Sequence, residues 1–303
     1  MVRALAHRFN QAPGTTRAIL WAISAGFTFS VLNTLVRGLS LQLHPFETQF
    51  LRNLFSLIVM LPIILRAGVI AYMPTSIGGQ FSRGAVHALG MTLWFYALPH
   101  LALADTTAIG YTGPIFSMLG AAWLLGEKMR ADRWIAALIG FTGVMIVVGP
   151  RLAGTGGWYS LIMLASAPVF SLSFLLTKML TRHDSPAVIV VWQALTVSLI
   201  TLPLAIPVWQ WPTPAQWGVF AVAGALGIFA HWCQTHALKA ADVSATQSAK
   251  FLDLLWASTW GFLVFGDQPS GYTLVGGVVI VAATLWIARR EARLARAAAR
   301  PAP

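Results

Sequence analysis

Apolar runs long enough to cross about 30 Å of hydrocarbon as a helix recur along the whole chain, and nothing constrains its fold more. The ten runs cover 17–36, 46–65, 82–99, 103–125, 133–149, 157–178, 186–206, 216–236, 242–265 and 271–288. Breakers and charges fall in the joints, at His44-Pro45, Gly126-Glu127-Lys128, Gly149-Pro150-Arg151, Asp184-Ser185-Pro186 and Gly266-Asp267-Gln268-Pro269. Only 10% of the residues are charged, against about 25% in a soluble domain, so the chain cannot clothe a water-facing surface. The net charge of +11 does not imply nucleic acid, because the basic residues lie between the apolar runs and at both ends rather than on one face. A single cysteine, Cys233, excludes an intramolecular disulfide. The first run is too long for a signal-peptide core and no small-residue cleavage site follows it, so the expectation is that it is retained.

Orientation follows from the Lys and Arg of alternate loops. With both termini in the cytoplasm, sixteen fall inside: Arg3, Arg8, Arg17, Arg66, Arg83, Lys128, Arg130, Arg133, Lys178, Arg182, Lys239, Arg289, Arg290, Arg293, Arg296 and Arg300. Two, Arg37 and Arg151, fall outside, and Arg52 and Lys250 fall within runs. Trp21, Trp134, Trp158, Trp209, Trp211, Trp217 and Trp286 lie near run ends, where an aromatic belt sits. Trp94, Trp123, Trp192, Trp232, Trp256 and Trp260 lie deeper.

The two halves echo each other. At an offset of 141, Phe29-Ser30 falls on Phe170-Ser171, Arg37 on Lys178, Pro45 on Pro186, Arg52 on Gln193 and Pro62 on Pro203. At 137, Ala88-Leu89-Gly90 falls on Ala225-Leu226-Gly227, Ala104-Asp105 on Ala241-Asp242, and Trp123 on Trp260. Three further residues bring Gly126-Glu127 onto Gly266-Asp267. Five runs per half force the second copy into the membrane upside down, the arrangement of alternating-access carriers with a midplane site between the repeats. The expected fold is therefore an all-α membrane protein of ten transmembrane helices in two inverted five-helix repeats around a central cavity. Its expected divisions are a cytoplasmic tail at 1–16, repeats at 17–150 and 151–289, and a basic cytoplasmic tail at 290–303.

This layout, with Arg52 in the second run, Ala104-Asp105-Thr106-Thr107-Ala108 through Thr112-Gly113-Pro114-Ile115-Phe116, the Gly126-Glu127-Lys128 turn, and Gly140 and Gly143, resembles the EamA branch of the drug/metabolite transporter superfamily over roughly 17–290. The second half departs from that pattern: Asp267 stands for Glu, and Lys250-Phe251 for Gly-Pro. Within the branch the chain looks most like YddG-type exporters of aromatic amino acids. The resemblance implies a bacterial inner-membrane exporter with a central cavity.

An ionisable group inside a span is a functional hypothesis by default. Gln49, Arg52, Asn53 and Ser56 recur at i, i+3, i+4 and i+7 and form one polar stripe that must face protein or water. Such a stripe suits a cavity wall engaging an anionic group; a structural Arg tying helix ends or snorkelling outward is the alternative. Lys250 and Asp253, with Gln247 a turn earlier, sit near the centre of the ninth run. They suit a substrate carboxylate site, or else a self-neutralising pair. His87 and Trp94 share a face of the third run, and Ser166, Phe170, Ser173 and Thr177 share one of the sixth. With Tyr111, Trp192 and Gln193 they suggest a sparsely polar aromatic pocket, against a background in which any one Trp or Ser can simply pack helices.

No His-Glu-x-x-His helix, paired carboxylates or Gly-x-Ser-x-Gly elbow supports an enzyme. No symmetric filter supports a channel. His231 and His236 are five apart and make no metal pair, and no cofactor is expected. The partners expected are a small neutral metabolite, foremost an amino acid with a large side chain, and the lipid bilayer. The oligomeric expectation is a monomer or a weak homodimer through small-residue faces.

Overall fold

In the computed structural model, described for residues 13–110, 112–126, 131–152, 157–243, 246, 252–268 and 271–298, the chain is helical with no strand among the described residues. The α-helices are α1 (Gly14–Ser40), α2 (Pro45–Ala67), α3 (Ile77–Ala97), α4 (Leu103–Gly110), α5 (Gly113–Leu124), α6 (Ala131–Leu152), α7 (Gly157–Leu180), α8 (Pro186–Ala205), α9 (Pro214–Ala240), α10 (Asp253–Phe265) and α11 (Gly271–Ala298). Five stretches, Gly14–Ser40, Pro45–Ala67, Gly157–Leu180, Pro186–Val208 and Pro214–Ala240, are long and apolar enough to cross a membrane.

Local chemistry sets the helix ends. Pro45 and Pro186, matched in the two halves, both open helices, where a missing N–H costs nothing. The residues before them cap: His44 Nδ1 accepts from Phe46 N–H, and Ser185 Oγ from Val188 N–H. Gly126 and Gly266, also matched, both turn the chain with positive φ, at 67° and 68°, a region few other residues enter. The fourth expected run divides into α4 and α5, with Gly113-Pro114 opening the second piece. α3 begins at Ile77, capped by Ser76, which is earlier than the expected 82. α11 runs on into the expected tail as far as Ala298.

Burial is inverted relative to a water-soluble domain. Glu47, Gln49, Arg52, Gln80, Arg83 and His87 are buried, while Ile58, Leu61, Ile63 and Leu65 of α2 face outward. Lipid supplies no hydrogen bonds, so polar groups must find partners inside the bundle. Trp123, expected deep, is 85% exposed near the end of α5.

The contacts carry a two-fold pattern. α1 packs on α9 and α10, and its counterpart α7 packs on α3, α4 and α5. α2 packs on α8, and α6 on α11, each element on its own counterpart. The loops gather at two ends. At the first, Arg37 Nη1 donates to Asp267 Oδ2 at 2.7 Å, Gln210 N–H to Glu47 Oε2 at 3.0 Å and Gln216 Nε2 to Gln42 Oε1 at 3.1 Å. At the second, Asp184 accepts from Thr75 N–H and Gln80 Nε2, each at 2.8 Å, and Lys178 Nζ donates to Leu238 O and Ala241 O, each at 2.7 Å.

Candidate substrate cavity

A cavity of about 230 Å³ lies between the two sets of helices. It follows α1 from Ala22 to Val36, about 21 Å of helix at 1.5 Å per residue. Its aromatic wall is Phe29, Trp94, Phe95, Phe170 and Phe174; Asn33, Arg52, His87, His231, Gln234 and Asp253 supply amide, imidazole and charged groups, and Ser30, Thr106, Thr107, Ser166 and Ser171 add hydroxyls. Leu32, Val36, Met91 and Phe95 of its lining join Leu98 and Leu103 in one buried cluster.

Two imidazoles meet here. His87 of α3 and His231 of α9 lie edge to face, with ring centroids 5.2 Å apart. Phe29 and Phe170, matched in the two halves, each lie against the imidazole of the other half: Phe29 on His231 at 4.9 Å and Phe170 on His87 at 5.4 Å. His87 Nδ1 pairs with Ser173 Oγ at 3.1 Å. Gln193 Oε1 accepts from Arg83 Nη2, which turns the amide NH₂ toward His231 Nε2 at 3.0 Å. His231 therefore accepts at Nε2. Arg83 also donates from Nε to Thr177 Oγ1 at 2.8 Å and from Nη1 to Ile189 O at 3.4 Å.

The polar stripe of α2 is buried, but only Arg52 of its members lines the cavity. Gln49 bridges Ala88 O and Thr92 Oγ1, and Asn53 Nδ2 donates to Gln49 O. Ser56 Oγ lies 3.1 Å from both Arg52 O and Gly224 O. These three side chains hold α2 against α3 and α9 instead of facing the cavity. Trp192 also lies elsewhere: its indole N–H donates to Tyr72 O at 2.8 Å, at the second end. Gln193 reaches the cavity only through His231. Arg52, His87, Trp94 and Asp253 are the expected site residues that line it. Lys250, Gln247 and Tyr111 lie outside the described residues.

Sequence reasoning missed Arg83 and His231. Arg83 was counted with the loop charges, yet it is 2% exposed and lies within α3. His231 had a usable signal, since Gly224, Gly227, His231 and Gln234 recur along one helical face.

Residues 16–149 and 157–289 each match the EamA-like transporter family. The chain belongs to that family. The match falls once on each half, in keeping with the internal duplication. Among curated relatives, a riboflavin transporter of Rhizobium johnstonii is 34% identical over 280 residues, covering 91% of this chain and 92% of that one. An S-adenosylmethionine uptake transporter of Rickettsia prowazekii is 26% identical over 273 residues, covering 90% and 92%. A pseudopaline exporter, CntI, of Pseudomonas aeruginosa is 28% identical over 277 residues, covering 90% and 96%. A solved crystal structure superposes with a TM-score of 0.70 at 20% identity, covering 89% of this chain and 96% of that one, and so shares the fold. The EamA family is thus established while the narrower resemblance to aromatic amino acid exporters is not: the relatives are named for riboflavin, S-adenosylmethionine and pseudopaline.

Proposed function

We propose that this EamA-family transporter is an alternating-access carrier for a small metabolite built on a flat aromatic ring, in the class of riboflavin. The carrying observation is the cavity between the halves, where Phe29, Trp94, Phe170 and Phe174 offer rings beside polar and hydroxyl side chains. The 34% identity to a riboflavin transporter over nine-tenths of the chain supports the same reading. A second reading, export of an aromatic amino acid, is favoured by the presence of both Arg52 and Asp253 in one cavity, which suits a zwitterion. One cavity serves either direction of transport, and the gradient decides.

Ten crossings in two inverted repeats, with both termini in the cytoplasm of a bacterial inner membrane, complete the proposal. The exchange symmetry of the helix contacts and the excess of Lys and Arg at the second end support this topology.

Counterflow into proteoliposomes preloaded with unlabelled solute tests the cargo. Labelled riboflavin should accumulate on the first reading, and labelled tryptophan or phenylalanine on the second. Accumulation of neither, with an aliphatic amino acid such as leucine accumulating instead, would defeat both and leave the carrier fold.

A further inference from the structure

Two guanidiniums are buried in this bundle, and they are not equivalent. Arg52 is 3% exposed and Arg83 is 2% exposed. Among the described residues no carboxylate bonds to either one. Arg83 is saturated nonetheless: Nε, Nη1 and Nη2 each donate to a protein oxygen, and it does not line the cavity. Its role is explained by those bonds.

Arg52 is different. Only Nη1 has an oxygen partner, Asn53 Oδ1 at 3.0 Å, besides the sulfur of Met91 at 3.9 Å. Nε and Nη2 meet no acceptor among the described residues, and the side chain opens into the cavity. Gly227 of α9 lies beside the Nε–Nη2 edge: an added Cβ would stand 2.8 Å from Nη2, 3.1 Å from Cζ and 3.1 Å from Nε. The glycine leaves free the space next to that edge that a side chain would fill. That edge carries two parallel N–H groups, the fork that matches the two oxygens of a carboxylate or a phosphate. A buried cation with an unused fork is expensive in a bilayer unless an anion completes it. Asp253 has contacts of its own and is not bonded to Arg52.

We propose that Arg52 is the oxyanion-binding residue of the cavity, and that the preferred cargo carries a carboxylate or phosphate on its ring-bearing body. This rests on the reading of the cavity as a site for aromatic metabolites. It adds a charge that riboflavin itself lacks.

Ring-matched ligand pairs test it, by calorimetry on the purified carrier in nanodiscs. One pair is indole-3-propionate against its amide, and the other is flavin mononucleotide against riboflavin. The oxyanion of at least one pair should bind about tenfold or more tighter than its neutral partner, the size expected of a charge-assisted bidentate contact. The pair that shows the preference tells carboxylate from phosphate. Arg52→Gln should remove the difference in affinity within the pair, and Arg52→Lys should keep only part of it, because an ammonium lacks the fork. Equal binding within both pairs in the wild type overturns the proposal without touching the aromatic-cargo reading. A preference that survives Arg52→Gln overturns it too. If no ring-bearing ligand binds at all, the aromatic-cargo reading falls first and this inference with it.

Discussion

At the residue scale, Arg83 shows how a polar side chain can be structural in a membrane interior. Its three bonds join α3 to α7 and α8, and its link through Gln193 fixes the face that His231 presents. Arg83→Met would leave Thr177, Gln193 and the Ile189 carbonyl without their donor. Each stranded buried group costs about 1–3 kcal/mol. The variant should therefore unfold at a clearly lower temperature in a detergent thermal scan, while the aromatic class of solute preferred in counterflow stays that of the wild type, since Arg83 itself does not line the cavity. A changed class of preferred solute would mean that Arg83 belongs to the site. Sequence patterning read the α2 stripe as facing protein or water, and it is buried against α3 and α9. Helical spacing could not divide it, because whether Asn53 or Arg52 reaches the cavity depends on which helix lies opposite. Arg83 was hidden for another reason: a Ser76 cap starts α3 a turn and a half earlier than the hydropathy does, and a charge near a run's edge reads as loop.

At the element scale, close backbone approach sets where the helices meet. A Cβ on Gly224 of α9 would lie 2.6 Å from the carbonyl carbon of Phe55 and 2.8 Å from Ser56 N, both backbone atoms of α2. Backbone cannot turn aside as a side chain can. Gly224→Val should force α2 and α9 apart and cost about 1–3 kcal/mol, read as a lower melting temperature and a loss of transport. Gly218 of the same helix has nothing within 4 Å of its added Cβ, so Gly218→Ala should be silent in both measurements. Element positions were legible from the sequence because Pro45, Pro186 and the matched Gly126 and Gly266 punctuate both halves alike. The division between α4 and α5 was not, since an unbroken hydropathy profile carries no record of which carbonyls lose their partners at Gly113-Pro114.

At the scale of the whole molecule, the Arg37–Asp267 pair is the ion pair that ties the halves at the first end among the described residues. Arg37 also covers the ring of Phe265, 4.3 Å from its centroid, one residue beyond the cavity-lining Val36. On the proposed topology this end faces the periplasm. Asp267→Asn should favour the form open there. With Asn33→Cys placed in the cavity, a membrane-impermeant maleimide added to whole cells should label the protein faster by about fivefold at most, since such a partly exposed pair is worth about 1 kcal/mol or less. Labelling only in inverted vesicles would reverse the assigned orientation.

The matched positions of Arg52 and Gln193 carry a further consequence. An assembly of two identical five-helix subunits has to repeat every charge by symmetry, so an arginine at this position would appear twice and repel itself across the axis. Joining the copies in one chain lifts that restriction. On the proposed reading the cavity keeps the two-fold mechanics of its scaffold while Arg52 gives it, among the described residues, one cationic pole, so a passenger with a charged head and an aromatic tail would travel the same way round on every trip.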